Sequence, residues 1–144
     1  MTIADIMKKE RWATEEAFIK NNFDALDEAN VFDSNADFYV PPFPKLNGLK
    51  AFKQFIMRSA QMFSQKRWEW NEIIIEGNIA VQSYTFTAKH TGEDPDGSFP
   101  VTGKEIILEG CAIYKIKNDK IIEFKEFSNY LGVFQQMGLV PSFV

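Results

Sequence analysis

Cysteine and histidine are nearly absent from this chain of 144 residues, which contains one of each. A single cysteine excludes an intrachain disulfide and a cysteine-based zinc site. One histidine among scattered acids lacks the spacing of metal ligands, so we expect no metal ion. The sequence also lacks a Gly-rich phosphate loop, a G-x-S-x-G elbow and a dinucleotide fingerprint, so we expect no cofactor.

An excess of positive charge and long hydrophobic runs are also lacking. The formal net charge of −4 argues against nucleic acid as a partner, because phosphate binding needs clustered Lys and Arg. No run approaches the length of a membrane span, and the first residues, MTIADIMKKERW, lack the apolar region of a secretory signal. We therefore expect a cytoplasmic protein with no membrane partner. The length favours one domain, 1–144.

Aromatic residues, in contrast, are plentiful, with 14 Phe, 4 Tyr and 3 Trp. Such a supply fits either a thick core or an aromatic-lined cavity.

Helical spacing dominates the first part of the chain. Residues 2 to about 29 carry apolar residues at helical intervals, with Thr2 and Asp5 resembling a capping box and Asn21-Asn22 breaking the segment. The piece ADFYV predicts a short strand, PPFPKLNG an irregular loop, and residues 48–63 a further helix. Within the first segment, we interpret the charge run KKER at 8–11 as a solvated helix face.

From Arg67 onward the pattern changes to that of strands. RWEWNEIIIEGN, AVQSYTFTAKHTG, EIILEGCAIYKIK and KIIEFKEFS contain alternating polar and apolar residues, and Gly-Asn and KNDK mark tight turns between them. Long strands joined by short turns predict an antiparallel meander. Helices at the front followed by strands predict an α+β fold.

Glu126 is the first candidate for chemistry. Counted from Ile121, it lies on the same strand face as Ile122, Phe124 and Ser128. A carboxylate among apolar neighbours is costly unless it is paired, protonated or used. The alternative is a strand end at which Glu126 has already reached solvent.

The order of these pieces resembles the SnoaL-like polyketide cyclase family, within the nuclear-transport-factor-2-like or ketosteroid-isomerase-like fold. The resemblance rests on FDALDEANVF, DFYVPPFPKLNGLKAFKQF, the KHTGE step and GCAIYKIKNDKIIEFKEFSNYLGVFQQMG, which cover most of residues 23–138. It implies a cone-shaped, curved antiparallel sheet wrapped around N-terminal helices, a cystatin-like barrel with a deep pocket open at one end.

The resemblance also implies a function. Active members place carboxylates and tyrosines in an apolar cavity, so we expect cofactor-independent acid/base chemistry of cyclase, isomerase or hydrolase type on a small, largely apolar carbonyl compound. Glu126 matches the acid of the final strand, whereas Ala112 and Asn129 stand where the family often has further acids. The alternative is a non-catalytic domain that only binds a small ligand or assists a partner.

His90 and Tyr39 are the further catalytic candidates. By parity His90 shares a face with Tyr84 and Phe86 and could act as a base, although it could instead bond a backbone carbonyl at the strand end. Tyr39 could donate to an oxyanion or simply pack. We expect the pocket to include Trp12, Phe55, Trp68, Tyr84, Phe86, Ala112, Tyr114, Phe124 and Asn129.

The outward-facing strand positions are unusually apolar for a sheet face in water. They are Ile107, Cys111, Ile113 and Phe127, mixed with Glu109 and Lys115. An apolar patch of this kind usually marks an interface, so we expect a homodimer formed through the sheet.

Overall fold

The computed structural model describes residues 1–142, in which ten helices and strands follow one another. The helices are α1 (Ile3–Phe18), α2 (Ala25–Glu28), α3 (Leu49–Ala60) and α4 (Tyr130–Gln136). The strands are β1 (Phe32–Tyr39), β2 (Leu46–Asn47), β3 (Phe63–Glu76), β4 (Ile79–His90), β5 (Glu105–Lys117) and β6 (Lys120–Ser128). Residues 143 and 144 of the expected domain lie outside the described part, and the domain boundaries stay a prediction.

Helix α1 begins at the capping box that the sequence indicates. The Thr2 hydroxyl accepts a hydrogen bond from the Asp5 amide at 3.1 Å, and the Asp5 carboxylate accepts one from the Thr2 amide at 3.1 Å. The helix ends at Phe18, and Asn21 then adopts a left-handed φ of 58°, which stops further helix at the expected place. The cap therefore fixes where α1 begins.

The sheet has the order β2-β1-β6-β5-β4-β3. Strands β3 to β6 form the predicted antiparallel meander, and its last hairpin turns at Asn118 and Asp119, which both adopt positive φ. The sheet as a whole is mixed, because the earlier strand β1 pairs in parallel with β6. Register shifts in β3 bend it, and the curved sheet does not close into a complete barrel.

Three boundaries differ from the sequence-based prediction. Phe63 and the residues that follow start β3, whereas the spacing had placed residue 63 in the preceding helix. Leu46–Asn47 forms a two-residue edge strand inside the expected irregular loop, and Tyr130–Gln136 forms a helix that the pattern did not indicate. These are short or terminal segments, where local periodicity is weakest.

The buried core forms two clusters. In the first, α1 residues such as Met7 and Ala13 pack with Tyr114 of β5 and Phe124 of β6, as expected for helices that cover the inner face of the sheet. The second joins β4 and β5 to α4 through residues such as Phe86 and Val133. No helix within residues 1–142 is long and apolar enough to cross a membrane.

Candidate functional site

A cavity of about 620 Å³ lies between the helices and the sheet and touches both core clusters. This volume is in the usual range for sites that bind small molecules. Its walls are mainly apolar. They include six of the residues that the sequence assigned to the pocket: Phe55, Trp68, Tyr84, Phe86, Tyr114 and Phe124.

Glu126 extends from β6 into this cavity. Parity places it on the inner face with Phe124, while Glu123 and Lys125 pair with each other at 3.1 Å on the outer face. The Tyr84 hydroxyl donates to Glu126 Oε1 at 2.7 Å, and the Tyr130 hydroxyl donates to Oε2 at 3.3 Å. Burial raises the pKa of the Glu126 carboxyl, and these two hydrogen bonds oppose that rise.

Gly110 makes the contact between Tyr84 and Glu126 possible. It lies on β5, between the strands that carry those two residues, and pairs with Tyr84 on one side and Ser128 on the other. A methyl group at Gly110 would lie 2.5 Å from the Tyr84 hydroxyl oxygen and 2.3 Å from Ser128 Oγ. Because Gly110 has no side chain, the Tyr84 hydroxyl has room to reach β6.

Glu10 of α1 brings a second carboxyl to the same cavity. It is 2% exposed, and its Oε1 accepts a hydrogen bond from the Thr14 hydroxyl at 2.7 Å. Oε2 finds no partner among residues 1–142. Burial raises the pKa of Glu10 to about 7, against the opposing effects of Thr14 and Tyr114, and the nearby Glu126 adds to the rise.

The position of Glu10 corrects the interpretation of KKER as a solvated helix face. Lys8 and Lys9 are exposed, but Glu10 falls in the buried stripe of α1 between Met7 and Ala13. Its three-residue spacing from those two apolar residues was the available signal. Glu126 of β6 consequently shares the cavity with a carboxyl from a helix.

Three tyrosines surround these acids. Burial raises the pKa of Tyr84, Tyr114 and Tyr130 well above the ordinary value, and the nearby carboxylates raise it further. Their hydroxyls therefore stay protonated at neutral pH and act as hydrogen-bond donors. Tyr130 belongs to the unpredicted helix α4, so sequence reasoning missed it.

Trp68 contributes an unused donor to the cavity wall. Its ring centroid lies 4.7 Å from that of Tyr84 and 5.2 Å from that of Phe86, which holds it in place. The indole Nε1 is buried, and within the described part of the chain it has no hydrogen-bond partner. A buried donor without a partner is costly unless a bound molecule supplies an acceptor.

His90 does not line the cavity, contrary to expectation. The segment after His90 folds back on it. The Gly103 amide donates to the His90 backbone carbonyl, and Thr102 lies beside the imidazole ring. Nδ1 accepts from the Thr102 amide at 3.2 Å and lies 2.8 Å from the Thr102 hydroxyl, and the rings of Phe63 and Phe99 pack beside it. Burial lowers the pKa of His90. This histidine is a packed core residue.

Tyr39 lies on the outer face of the sheet and not in the cavity. The parallel pairing of β1 with β6 sets Tyr39 opposite Lys125, an outward position, and the Tyr39 ring lies 6.2 Å from that of Phe127. It is 40% exposed. The tyrosines in the described lining of the cavity are Tyr84, Tyr114 and Tyr130.

Three other expected pocket residues are absent from the lining. Trp12 is two residues beyond Glu10 on α1, which turns it to the other side of the helix, and it is 45% exposed. Ala112 is buried opposite Glu126, and its methyl group is too short to reach the cavity. Asn129 is exposed and caps α4 by accepting from the Gly132 amide at 2.9 Å.

Ligands for a metal ion do not converge anywhere in residues 1–142, since no group of three or more His, Cys, Asp or Glu side chains is suitably placed.

Comparison with protein families identifies one family whose model matches most of this chain. A model of the SnoaL-like polyketide cyclases matches residues 11–137. A comparison with curated proteins found no significant match.

Solved structures share the fold over nearly the whole chain. A protein from Jannaschia sp. CCS1, described as a SnoaL-like polyketide cyclase, has a TM-score of 0.81 and 14% identity over 96% of this chain and 94% of that one. A protein of ketosteroid isomerase-like fold from Catenulispora acidiphila DSM 44928, solved with trimethylamine, has a TM-score of 0.72 and 13% identity over 97% and 96%. An epoxide hydrolase of LEH-like type from M. tuberculosis has a TM-score of 0.66 and 10% identity over 93% and 90%. These likenesses confirm the expected fold.

Proposed function

The chain belongs to the SnoaL-like polyketide cyclase family, and from this premise we propose that it is a cofactor-independent acid/base enzyme of cyclase, isomerase or hydrolase type. Its substrate is a small, largely apolar carbonyl compound that binds in the cavity between the helices and the sheet. Cyclase-like, isomerase-like and epoxide hydrolase-like proteins are among the solved structures of this fold, which supports an enzyme-like family without specifying a substrate.

The observation that carries the proposal is the environment of Glu126. Its carboxyl lies in an apolar cavity, and its two oxygens accept from Tyr84 and Tyr130. Low polarity raises the pKa, which makes the carboxylate a stronger base than in water, while the tyrosines keep it oriented. A carboxyl with no chemical use would be an expensive group to retain at this position.

The chemistry follows from the two protonation states of Glu126. As a carboxylate, it takes a proton from the carbon next to a substrate carbonyl. As a carboxylic acid, it returns a proton to the product or to a leaving oxygen. The hydroxyls of Tyr84 and Tyr130 stay protonated throughout. Their hydrogen bonds to Glu126 therefore strengthen when Glu126 is charged and weaken when it is neutral.

The test is the substitution Glu126→Gln, which keeps the shape but removes proton transfer. Mass spectrometry of molecules that stay bound through purification identifies the substrate to be assayed. We expect turnover to fall about 10²–10⁴-fold while affinity changes only a few-fold. Glu123→Gln, on the outer face of the same strand, is the matched control and should leave both unchanged. Unaltered turnover in the Glu126 variant would exclude Glu126 as the acid/base group.

A second candidate function is ligand binding without turnover. It is favoured by the family positions at which acids are missing, since Ala112 and Asn129 stand there in this chain. In that case the Glu126→Gln variant and the native chain would both hold the ligand, and neither would convert it.

We also propose that two copies pair through their sheets. Ile107 is 52% exposed and Phe127 is 48% exposed on the outer face, next to the exposed ring of Tyr39. Burial of such a patch would favour association. Light scattering at micromolar concentration should give the mass of a dimer, and Phe127→Glu should shift it toward the mass of a monomer; a native monomer would refute the pairing.

A further inference from the structure

Two polar atoms of the cavity wall lack a partner among residues 1–142: Glu10 Oε2 and Trp68 Nε1. Both are buried, and both belong to side chains held in place by other contacts. Buried polar atoms are nearly always satisfied, so a partner from a bound molecule is the simplest way to complete them. The proposed function uses Glu126 and leaves these two atoms unexplained.

We propose that Glu10 is a second acid of the site, whose protonated Oε2 donates a hydrogen bond to an oxygen acceptor on an uncharged ligand. This inference rests on the proposed function, because it names a donor and a substrate class for the same cavity. Trp68 Nε1 is the second donor available to such an oxygen.

The geometry of Glu10 supports a donor role. Thr14 donates to Oε1, so Oε1 is occupied and Oε2 is left for the ligand. The side chain is 2% exposed and belongs to the wall of the largely apolar cavity, so a hydrogen bond from it is made in surroundings of low polarity.

Burial is the main cause that favours the neutral form of Glu10. Thr14 on the same helix and Tyr114 on β5 partly stabilise the charged form, and so does Arg11, whose guanidinium also donates to Gln82 at 3.3 Å. Glu126 on β6 adds a smaller effect in the same direction as burial, because it opposes a second negative charge. With the pKa of Glu10 at about 7, the proton is retained in weakly acidic solution.

The same charges select the ligand. Three acids line the cavity: Glu10, Glu126 and Asp94. The basic side chain in its described lining, Arg58, is half-exposed and pairs with Asp94 and Asp96. An anionic ligand would therefore meet repulsion without an available cation. Oxygen acceptors of uncharged molecules, such as ketone, ester or epoxide oxygens, fit the two donors.

The test uses two non-reacting probes of similar size, 2-acetylnaphthalene and 2-isopropylnaphthalene, in which a methyl group replaces the acceptor oxygen. Titration of the full chain by tryptophan fluorescence or calorimetry gives the ratio of their dissociation constants. We expect a preference for the ketone of about tenfold at about pH 5.5 that weakens as Glu10 ionises toward about pH 8.5. Glu10→Gln keeps an N–H donor, so its preference should not change with pH. Trp68→Phe should lower the preference equally at both pH values.

A pH-dependent preference that persists in Glu10→Gln would overturn the proposal. So would tighter binding of naphthylmethylammonium than of the ketone at about pH 7, lost in Glu10→Gln, because Glu10 would then hold a cation as a carboxylate. If no probe binds, the protonation state of Glu10 is measured by infrared difference spectra of the native chain against Glu10→Gln. We expect the carbonyl band of a protonated carboxyl at about pH 5.5, and its absence would refute the proposal. None of these measurements uses turnover, so each can fail while Glu126→Gln still abolishes catalysis, and the reverse.

Discussion

On the inner face of one sheet, β4 ends in His90 and β6 carries Glu126, yet the two titratable residues have different surroundings. Around His90, the rings of Phe63 and Phe99 fill the available space, and Thr102 supplies the ring with a local partner. Around Glu126, the neighbouring strand has Gly110 and Ala112, which leave room for tyrosine hydroxyls and an open cavity.

Parity alone therefore does not define a site. Both residues alternate correctly onto the buried face, but Glu126 is paired with Ala112 on the neighbouring strand, whereas His90 is paired with Phe63. Bulky neighbours turn a buried titratable group into part of the core, and small neighbours leave it accessible to a ligand. Glu10 belongs with Glu126 by this criterion, because it lines the same cavity.

The largest expected effect outside catalysis is on the pH dependence of stability. The pKa of Glu10 is about 7 in the folded chain and 4.5 in a model peptide. Between these values the folded chain holds a proton that the unfolded chain has released, so stability falls as pH rises. Full ionisation costs about 3 kcal/mol. Glu10→Gln should therefore gain about 3 kcal/mol over the native chain between about pH 4 and pH 8, measured by urea unfolding.

His90 contributes a pH dependence of the opposite sign. Burial lowers its pKa, so as pH falls below 6.5 the unfolded chain binds a proton that the folded chain does not bind. In the Glu10→Gln variant the His90 contribution still makes stability rise with pH through this range, and the raised pKa of Glu126 opposes it. A difference between Glu10→Gln and the native chain that is independent of pH would show that Glu10 is not held neutral by the fold.

A smaller effect is expected from Gly110→Ala, which would make the surroundings of Glu126 resemble those of His90. The added methyl group meets the Tyr84 hydroxyl and Ser128 Oγ, and such overpacking costs about 1–3 kcal/mol. We expect lower stability and weaker ligand binding, because Tyr84 must move away from Glu126. Glu109→Ala, at the exposed neighbouring position of β5, is the control and should stay within about 0.5 kcal/mol of the native chain. Unchanged stability of the Gly110 variant would mean that the Tyr84 side chain can adopt another conformation without cost.

The sequence could predict much of the fold. Strong alternation placed β5 and β6 correctly, and turn residues placed the hairpin between them. It could not predict that β1 pairs in parallel with β6, because strands that are distant in the chain carry no local signal of their partner. That pairing is what turns Tyr39 outward.

For the site, strand alternation is enough to give the face of Glu126, since the period of a strand is two and the neighbouring residues alternate clearly. The same alternation puts an aromatic residue, Phe124, beside that acid. Packing between distant elements, which has no local pattern, brings Glu10 to Glu126 and keeps His90 away from it. Helix α1 and the segment that carries Thr102 had first to pack against the sheet, and the space left between their side chains selects which buried groups a ligand can reach.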